Sequence, residues 1–515
     1  MSNSLADTIV VSAQQMRDIE GRIFAKGMPV AALMEKAAQA CFHRIKSLYP
    51  QTDFPLVGVI AGSGHNGGDA LVVSRELHLD GYQVKVYQPL PKLKELTAAH
   101  AKYAANLEVP ISDELESLSD CQVIIDGLFG FGLERSLSGD LAQAIDKLNS
   151  WQKPVVSIDL PSGINTDTGA VMGTAVKATH TLCLGLWKRA FLQDQALEYL
   201  GNAQKLGFGI PEKDIKAIVP ENEYVQVINA GLARQFSPLP RPILTHKYQQ
   251  GNLLLICGSR RYAGAAILTA LGARASGVGM LTIAVPESLR ELLIAQVPEA
   301  LVIGCPETAS GAIASLPLTP SEINKFEAIA CGSGLTQEAT EVIEQIITCP
   351  QPLILDADAL NIVAAQNNLP NIIHSTSGIR ILTPHLGEFK RLFPNLDPAS
   401  GDRISLVQTA AVESQAIVLL KGARTVISQP NKATWIVPES TPALARGGSG
   451  DVLTGLLGGL IAGVVASSAN DLSKVFNSVA LAAWWHAQAA IKAAQASTQL
   501  GVDGVTLASY LATVF

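Results

Sequence analysis

At 515 residues the chain is too long for one ordinary hydrophobic core, so two or more domains are expected. Hydrophobic residues make up 48% and charged residues only 16%, against about 25% in an average globular protein; this excludes a disordered chain and suits parallel sheets buried under helices. A net charge of −7 leaves no electrostatic footprint for a polyanion, so nucleic acid is excluded as a partner, while a local anion site stays open.

The opening residues, MSNSLADTIVV, have no basic stretch leading into an apolar one, so no secretion signal is expected. Seven cysteines are dispersed without C-x-x-C spacing, which reads as reduced core thiols of a cytoplasmic protein. Strands are predicted at PLVGVIA, YQVKVYQ, CQVIIDG, KPVVSIDL and THTLCLG, with a helix beginning near Asp69 between the first two. Strand–helix alternation of this kind predicts a parallel α/β sheet. VPENEYVQV and the proline-rich FSPLPRPIL mark a boundary, and a second alternation starts at GNLLLICGS. Its strands are expected at MLTIAV, KFEAIACG, PLILDAD, IRILTPH and AIVLLKG. The division predicted is an N-terminal domain over 1–222 and a C-terminal domain over 223–515.

The stretch GSGHNGGD (62–69) fits G-x-G-x-x-G between a strand and a helix, where glycine lets backbone amides approach a pyrophosphate. A dehydrogenase then places Asp or Glu at the end of the second strand to bind ribose; here Gln88 stands there. The fingerprint alone is weak, and a glycine turn serving only packing is the plain alternative. Asp126 and Asp159 each follow a strand, with Ser162 three residues beyond the second. Taken singly, each is an ordinary turn former. Together they converge at the carboxyl ends of parallel strands, where open α/β sheets bind ligands.

In the second half, PALARGGSGDVLTGLLGGL sets Gly447, Gly448, Ser449 and Gly450 at a helix start, where backbone amides and the dipole favour an anion. Asp451, in that first turn, is placed to take a proton from a hydroxyl attacking a phosphate. A structural glycine turn with a capping Asp is the alternative, weakened by the second loop LLKGART. VLTGLLGGLIAGVVA (452–466) is apolar with G-x-x-x-G spacing, but it is shorter than the roughly 20 residues of a membrane span and is expected to be a buried helix.

GSGHNGGDALVVSREL, VIIDGLFGFGLERSLSG and SIDLPSG together resemble the NAD(P)H-hydrate epimerase family, whose members share the YjeF N-terminal domain with a Rossmann-like three-layer fold. The resemblance implies interconversion of the R and S forms of a dinucleotide hydrated at C6 of the dihydronicotinamide ring. It implies that His65, Asn66, Gly67, Gly68 and Asp69, with Gly130, Phe131, Gly132, Leu133, Glu134, Arg135 and Ser136, contact the hydrate. It also implies that Asn66, Asp126 and Ser162 hold K⁺ and that Asp159 sits at the reacting ring. Amide, carboxylate and hydroxyl oxygens suit such a hard cation. His65 and Ala70 depart from the family pattern, where Asn and Gly are commoner.

The ordered motifs HKYQQGNLLLICGSRRYAGAA, ACGSGLT, LDADALN, LTPHLGEFKRL, LLKGART and GGSGD resemble the ADP/ATP-dependent NAD(P)H-hydrate dehydratases, which have a ribokinase-like three-layer fold. The resemblance implies that Lys421, Gly422, Ala423, Arg424, Thr425 and Gly450 bind ADP or ATP. It implies that Ala265, Gly334, His385 and Asp451 face the hydrate, with His385–Arg391 part of its site, and that Mg²⁺ accompanies the nucleotide. ADP is favoured for a fusion of this kind. Asn252, Leu386 and Arg446 depart from the family pattern, and Arg446, beside the anion loop, is expected to alter nucleotide contacts. His385 alone would be a strand-end turn residue, and Lys421 alone a solvated lysine.

The expected function is therefore repair of a hydrated cofactor by a fused epimerase and dehydratase, since either half alone would leave part of the racemising pool unrepaired. The partners expected are the small-molecule hydrate and a nucleotide, with no membrane and with assembly as a homo-oligomer. The competing reading is a ribokinase-like kinase of a vitamin precursor, such as hydroxyethylthiazole, fused to a non-catalytic dinucleotide-binding or scaffold domain.

Overall fold

The computed structural model describes residues 4–366, 378–398, 401–431, 433–468 and 471–515. The chain divides into two units, one over 4–224 together with 401–402, the other over 225–398 and 403–515.

In the N-terminal unit the strands are β1 (Ile9–Val11), β2 (Leu56–Ala61), β3 (Gln83–Tyr87), β4 (Ile111–Ser112), β5 (Val123–Gly127), β6 (Val155–Ile158), β7 (His180–Leu184), β8 (Trp187–Lys188) and β9 (Asn202–Leu206). The main sheet is wholly parallel, in the order β4-β3-β2-β5-β6-β7-β9. The chain starts at β2, runs outward to β4, then returns to β5 on the other side. That reversal opens a crevice at the carboxyl ends of β2 and β5, where such sheets bind ligands. β1 and β8 form a separate parallel pair within the unit.

Strand pleating sends alternate residues to opposite faces. Val57, Val59, Val123 and Ile125 pack with the helices α1 (Ala13–Ala25), α2 (Val30–Leu48) and α3 (His65–Leu79). Ile60 and Ile124 pack on the other face with Ile145 and Leu148 of α4 (Gly139–Ser150). These two cores on one sheet make the three-layer architecture expected. The helix after β2 begins at His65, not near Asp69. Two glycines in a first turn are poor helix formers, but both sit where no side chain fits. A Cβ on Gly67 would strike the Gly62 backbone, and one on Gly68 would press on Met34.

The C-terminal unit carries β10 (Val225–Val227), β11 (Asn252–Ile256), β12 (Met280–Pro286), β13 (Leu301–Cys305), β14 (Ala328–Cys331), β15 (Leu353–Leu355), β16 (Arg380–Leu382), β17 (Ile417–Leu420), β18 (Thr425–Ser428) and β19 (Thr434–Val437). Their order is β13-β12-β11-β14-β15-β16-β17-β18-β19-β10, parallel except for the antiparallel run β17-β18-β19. β11 starts a second reversal, with β12 and β13 on one side and β14 on the other. Leu253, Leu255 and Ala330 pack with the helices α5 (Ala263–Ser276), α6 (Ser449–Ser468) and α7 (Leu472–Ala496).

Helix α6 is long and apolar enough to cross a membrane, yet most of it is buried inside the unit. Its Gly455 and Gly459 lie on α5, where a Cβ would meet the Thr269 carbonyl and Ser276. The G-x-x-x-G pattern thus serves close helix packing, as expected. All seven cysteines are buried and free.

Candidate active sites

A cavity of about 500 Å³ opens at the carboxyl ends of β2, β5 and β6, lined by His65, Asn66, Asp69, Gly130, Phe131, Gly132, Leu133 and Asp159 among others. Asp159 follows β6 with φ +66°, a left-handed conformation that costs a non-glycine residue about 1–3 kcal/mol and collects at functional sites. Hydrogen bonds and an ion pair hold it there. Its backbone N–H donates to Leu182 O, Phe131 N–H donates to Oδ2 at 3.0 Å, and Lys188 Nζ forms an ion pair with Oδ1 at 2.6 Å. Lys188 is fully buried, also donates to Leu184 O, and sits over the Phe131 ring. Burial works against its charge, but the Asp159 carboxylate outweighs this and holds the ammonium pKa above its ordinary value.

The loop after β5 is fixed from beneath. Asp126, with no exposed surface, accepts from Leu128 N–H, Ser157 Oγ, Ser162 N–H and Ser162 Oγ. Burial raises its carboxyl pKa, against these four donors. Phe129 N–H donates to Ser162 Oγ at 2.8 Å, so one serine ties the loop to both strand ends. Asn66 adjoins: its amide lies next to Gly130, and its Nδ2 is buried with no partner among the described residues.

Two further carboxyls reach this cavity. Burial pushes Asp69 well above the usual carboxylate range, and Asp159 adds to this. Burial pushes Glu20 up to about 7, Asp159 adding and Lys188 opposing. His65, at the first position of α3, is held below its ordinary pKa by burial and by Lys94.

Several expected contacts fall elsewhere. Gly67 and Gly68 are buried packing residues and do not line the cavity. Glu134 pairs with Arg17 on the surface, its side chain 73% exposed. Arg135 and Ser136 are exposed as well, because the loop turns out to solvent after Leu133. Lys188 and Glu20 were not anticipated. A lysine inside the apolar run LCLGLWKRAFL was the available signal for the first; Glu20 had none beyond its helical spacing.

The second site lies at the carboxyl ends of β15 and β17. Asp356, buried after β15, pairs with Lys421 Nζ at 2.7 Å and accepts from Thr383 Oγ1 and Thr454 Oγ1, both at 2.8 Å. Burial opposes its charge, but Lys421 and the two hydroxyls prevail and lower its pKa. Lys421 is thus a half-buried ion-pair partner, not a solvated lysine. Gly450 passes directly beside Lys421 and Asp356, which brings the anion loop, the lysine and Asp451 together. Burial pushes Asp451 up to about 6, with Asp356 adding and Ser333 and Lys421 opposing.

His486, on α7, bonds through Nε2 to Ser449 O at 2.8 Å; burial holds it neutral, with a pKa near 4. Lys421–Thr425 makes the turn between β17 and β18. Ala265 and Gly334 touch, a Cβ on Gly334 falling 2.8 Å from that of Ala265.

His385 caps the helix Leu386–Leu392, its Nδ1 accepting from Gly387 and Glu388 N–H while its Nε2 lies 3.4 Å from Glu388 Oε1. Arg446 does not reach over the anion loop: its guanidinium donates to Leu500 O and Val502 O. Asn252 stands at the amino end of β11, bonded to Glu327 and Lys325, and so is at the end of the sheet away from the site.

A carboxylate–lysine pair at the strand ends of each sheet, one facing a cavity and one facing a glycine anion loop, defines a two-site α/β enzyme. Residues 253–513 match the NAD(P)H-hydrate dehydratase family and residues 30–190 the YjeF-related protein N-terminus. The bifunctional NAD(P)H-hydrate repair enzyme Nnr of Synechocystis sp. is 54% identical over 502 residues, covering 98% of this chain and 94% of that protein. The protein of the same name from Gloeobacter violaceus is 44% identical over 512 residues, covering 99% and 98%. A crystallised ADP/ATP-dependent NAD(P)H-hydrate dehydratase from Bacillus subtilis is 30% identical and covers 55% of this chain and 95% of its own, with a TM-score of 0.46. The chain belongs to the family of bifunctional NAD(P)H-hydrate repair enzymes.

Proposed function

We propose that the N-terminal unit interconverts the R and S forms of NAD(P)H hydrate and that the C-terminal unit dehydrates the S form with ADP or ATP, releasing AMP or ADP and phosphate. The observation that carries this reading is the meeting of Asp451, Gly450 and Lys421 in one unit of a chain whose other unit holds Asp159 in its cavity.

In the first cavity, lone-pair donation from the ring nitrogen expels the C6 hydroxyl, and water re-adds from the other face. Asp159 moves the proton, a contribution of about 10²–10⁴-fold. Lys188 and Phe131 N–H aim its carboxylate.

Asn66, Asp126, Ser162 and the Phe129 carbonyl would hold K⁺: they offer amide, carboxylate, hydroxyl and carbonyl oxygens, which suit a hard cation, from the carboxyl ends of β2, β5 and β6. A bound cation there supplies positive charge beneath the substrate-binding loop. Gly130–Leu133 then contact the hydrate from that loop.

In the second unit Asp451 takes the proton of the C6 hydroxyl as its oxygen attacks the nucleotide's terminal phosphate. The Gly447–Gly450 amides and Lys421 face the transferred charge, where one well-placed donor is worth about 10²–10³-fold. Phosphate leaves C6, a proton leaves C5, and NAD(P)H is restored with no net hydride transfer.

Mg²⁺ suits the nucleotide's phosphate oxygens; the charge of Asp356 is already engaged by Lys421 and two hydroxyls. Ala265, Gly334 and His385 would border the hydrate. The reading places the chain in the cytoplasm, where buried thiols stay reduced, as a homo-oligomer whose state sedimentation would measure.

The test supplies R and S hydrates separately, with ADP, ATP or neither, and follows recovery of dihydronicotinamide absorbance. Recovery from S must need a nucleotide. If no nucleotide restores S, the dehydratase reading fails. A stable phosphorylated product in place of free phosphate would favour the kinase reading.

A further inference from the structure

Inversion at C6 by loss and return of a hydroxyl needs two proton transfers, an acid where the hydroxyl leaves and a base where water arrives. Asp159 is committed to one wall of the cavity. Its Oδ1 is held by Lys188 Nζ at 2.6 Å and its Oδ2 by Phe131 N–H at 3.0 Å.

Another wall comes from a different element. Helix α1 is started by a capping box, Ser12 and Gln15 satisfying each other's backbone N–H. Its apolar residues Met16 and Ile19 face the core. Residues 17, 20, 21 and 24, at i, i+3, i+4 and i+7, therefore share one side, and all four line the cavity. Of these only Arg17 and Glu20 ionise, and Arg17 is engaged with Glu134. Glu20 makes no hydrogen bond or ion pair to any described residue. A carboxyl aimed into a cavity with no structural partner has no packing reason to be there.

We propose that Glu20 is the second proton-transfer group of this cavity, acting with Asp159 on opposite faces of the hydrated ring. The inference rests on the epimerase reading of the N-terminal unit. The proton of the Glu20 carboxyl passes to the C6 oxygen, the C6–O bond breaks, and water departs. The ring-nitrogen lone pair forms the N1–C6 iminium. Water adds to C6 from the other face, forming the new C6–O bond, and its proton passes to Asp159. Exchange with solvent through the open cavity resets both groups, and the reverse reaction exchanges their roles. Because burial pushes Glu20 up to about 7, with the Asp159 charge adding and Lys188 opposing, both of its protonation states are populated at neutral pH.

The full chain tests this internally, because recovery from the S hydrate bypasses the first cavity. Glu20→Gln is expected to lower kcat for recovery from the R hydrate about 10²–10⁴-fold towards the uncatalysed epimerisation rate, with recovery from S unchanged. A kcat for R within threefold of the unaltered chain overturns the proposal, as does a loss carried by KM alone. If Glu20→Gln lowers the melting temperature, Glu20→Asp decides. Folded, it must keep at least a tenth of the R activity, and at background it overturns the proposal. If the unaltered chain itself handles R no faster than background, the epimerase reading fails, and this inference fails with it.

Discussion

The Asp159–Lys188 pair carries charge where solvent cannot help, so it has a measurable consequence when broken. Removing one partner of such a pair leaves an uncompensated charge and costs about 3–5 kcal/mol. Lys188→Met is therefore expected to lower stability by that amount in denaturant unfolding and to abolish recovery from the R hydrate. Adding Asp159→Asn should restore much of the stability but none of the activity, a non-additivity that a double-mutant cycle reads directly. Asn tolerates the left-handed backbone at 159 better than most residues.

Asp451 makes the opposite prediction. Its carboxyl titrates near 6 in the folded chain against 3.8 ordinarily. The native state therefore holds that proton more tightly than the unfolded one, and stability falls as pH rises from about 4 through 6. Asp451→Asn should melt higher than the unaltered chain above pH 6, with the gain vanishing below pH 4, while losing dehydration. A general base with this titration also predicts that kcat/KM for the S hydrate declines as pH falls below about 6. A profile flat down to pH 5 would exclude Asp451 as that base.

At the level of elements, the anion loop depends on how closely α6 approaches α5. Gly455 and Gly459 meet Thr269 and Ser276, and Gly272 of α5 meets the Val452 backbone in return. Gly455→Leu is expected to cost about 1–3 kcal/mol by overpacking, and to weaken nucleotide binding by shifting Ser449 and Gly450 at the helix start. Calorimetric titration with ADP would show it.

This glycine register was legible from spacing alone, as were the buried apolar strands β2, β5, β6, β11 and β17. β9, NAQKL, was not. It is an edge strand with little apolar content, and only its pairing with β7 makes it extended. The hairpin β18–β19 follows a loop read for its chemistry, which hid its strand pattern. At the sites, residues carried by motifs were legible. Lys188 and Glu20, brought in from β8 and α1, share no local signature with the strands they serve, because side chains that meet only through the fold leave no spacing to read.

At the level of the whole chain, two units with separate hydrophobic cores predict separable activities. Asp159→Asn should block recovery from R and spare S, whereas Asp451→Asn should block both, because R must pass through S. The two single variants mixed together should then recover R through free S hydrate, at a rate that rises with concentration. No rescue at any concentration would mean that the intermediate does not exchange with solvent.

The order of parts along the chain has a consequence for synthesis. Every group of the first cavity, from Arg17 to Phe208, has been made once residue 224 is added. The second site waits for Asp451 and for His486, which holds Ser449 from α7. A chain released after residue 230 and before 450 therefore carries every group of the first cavity and lacks Asp451.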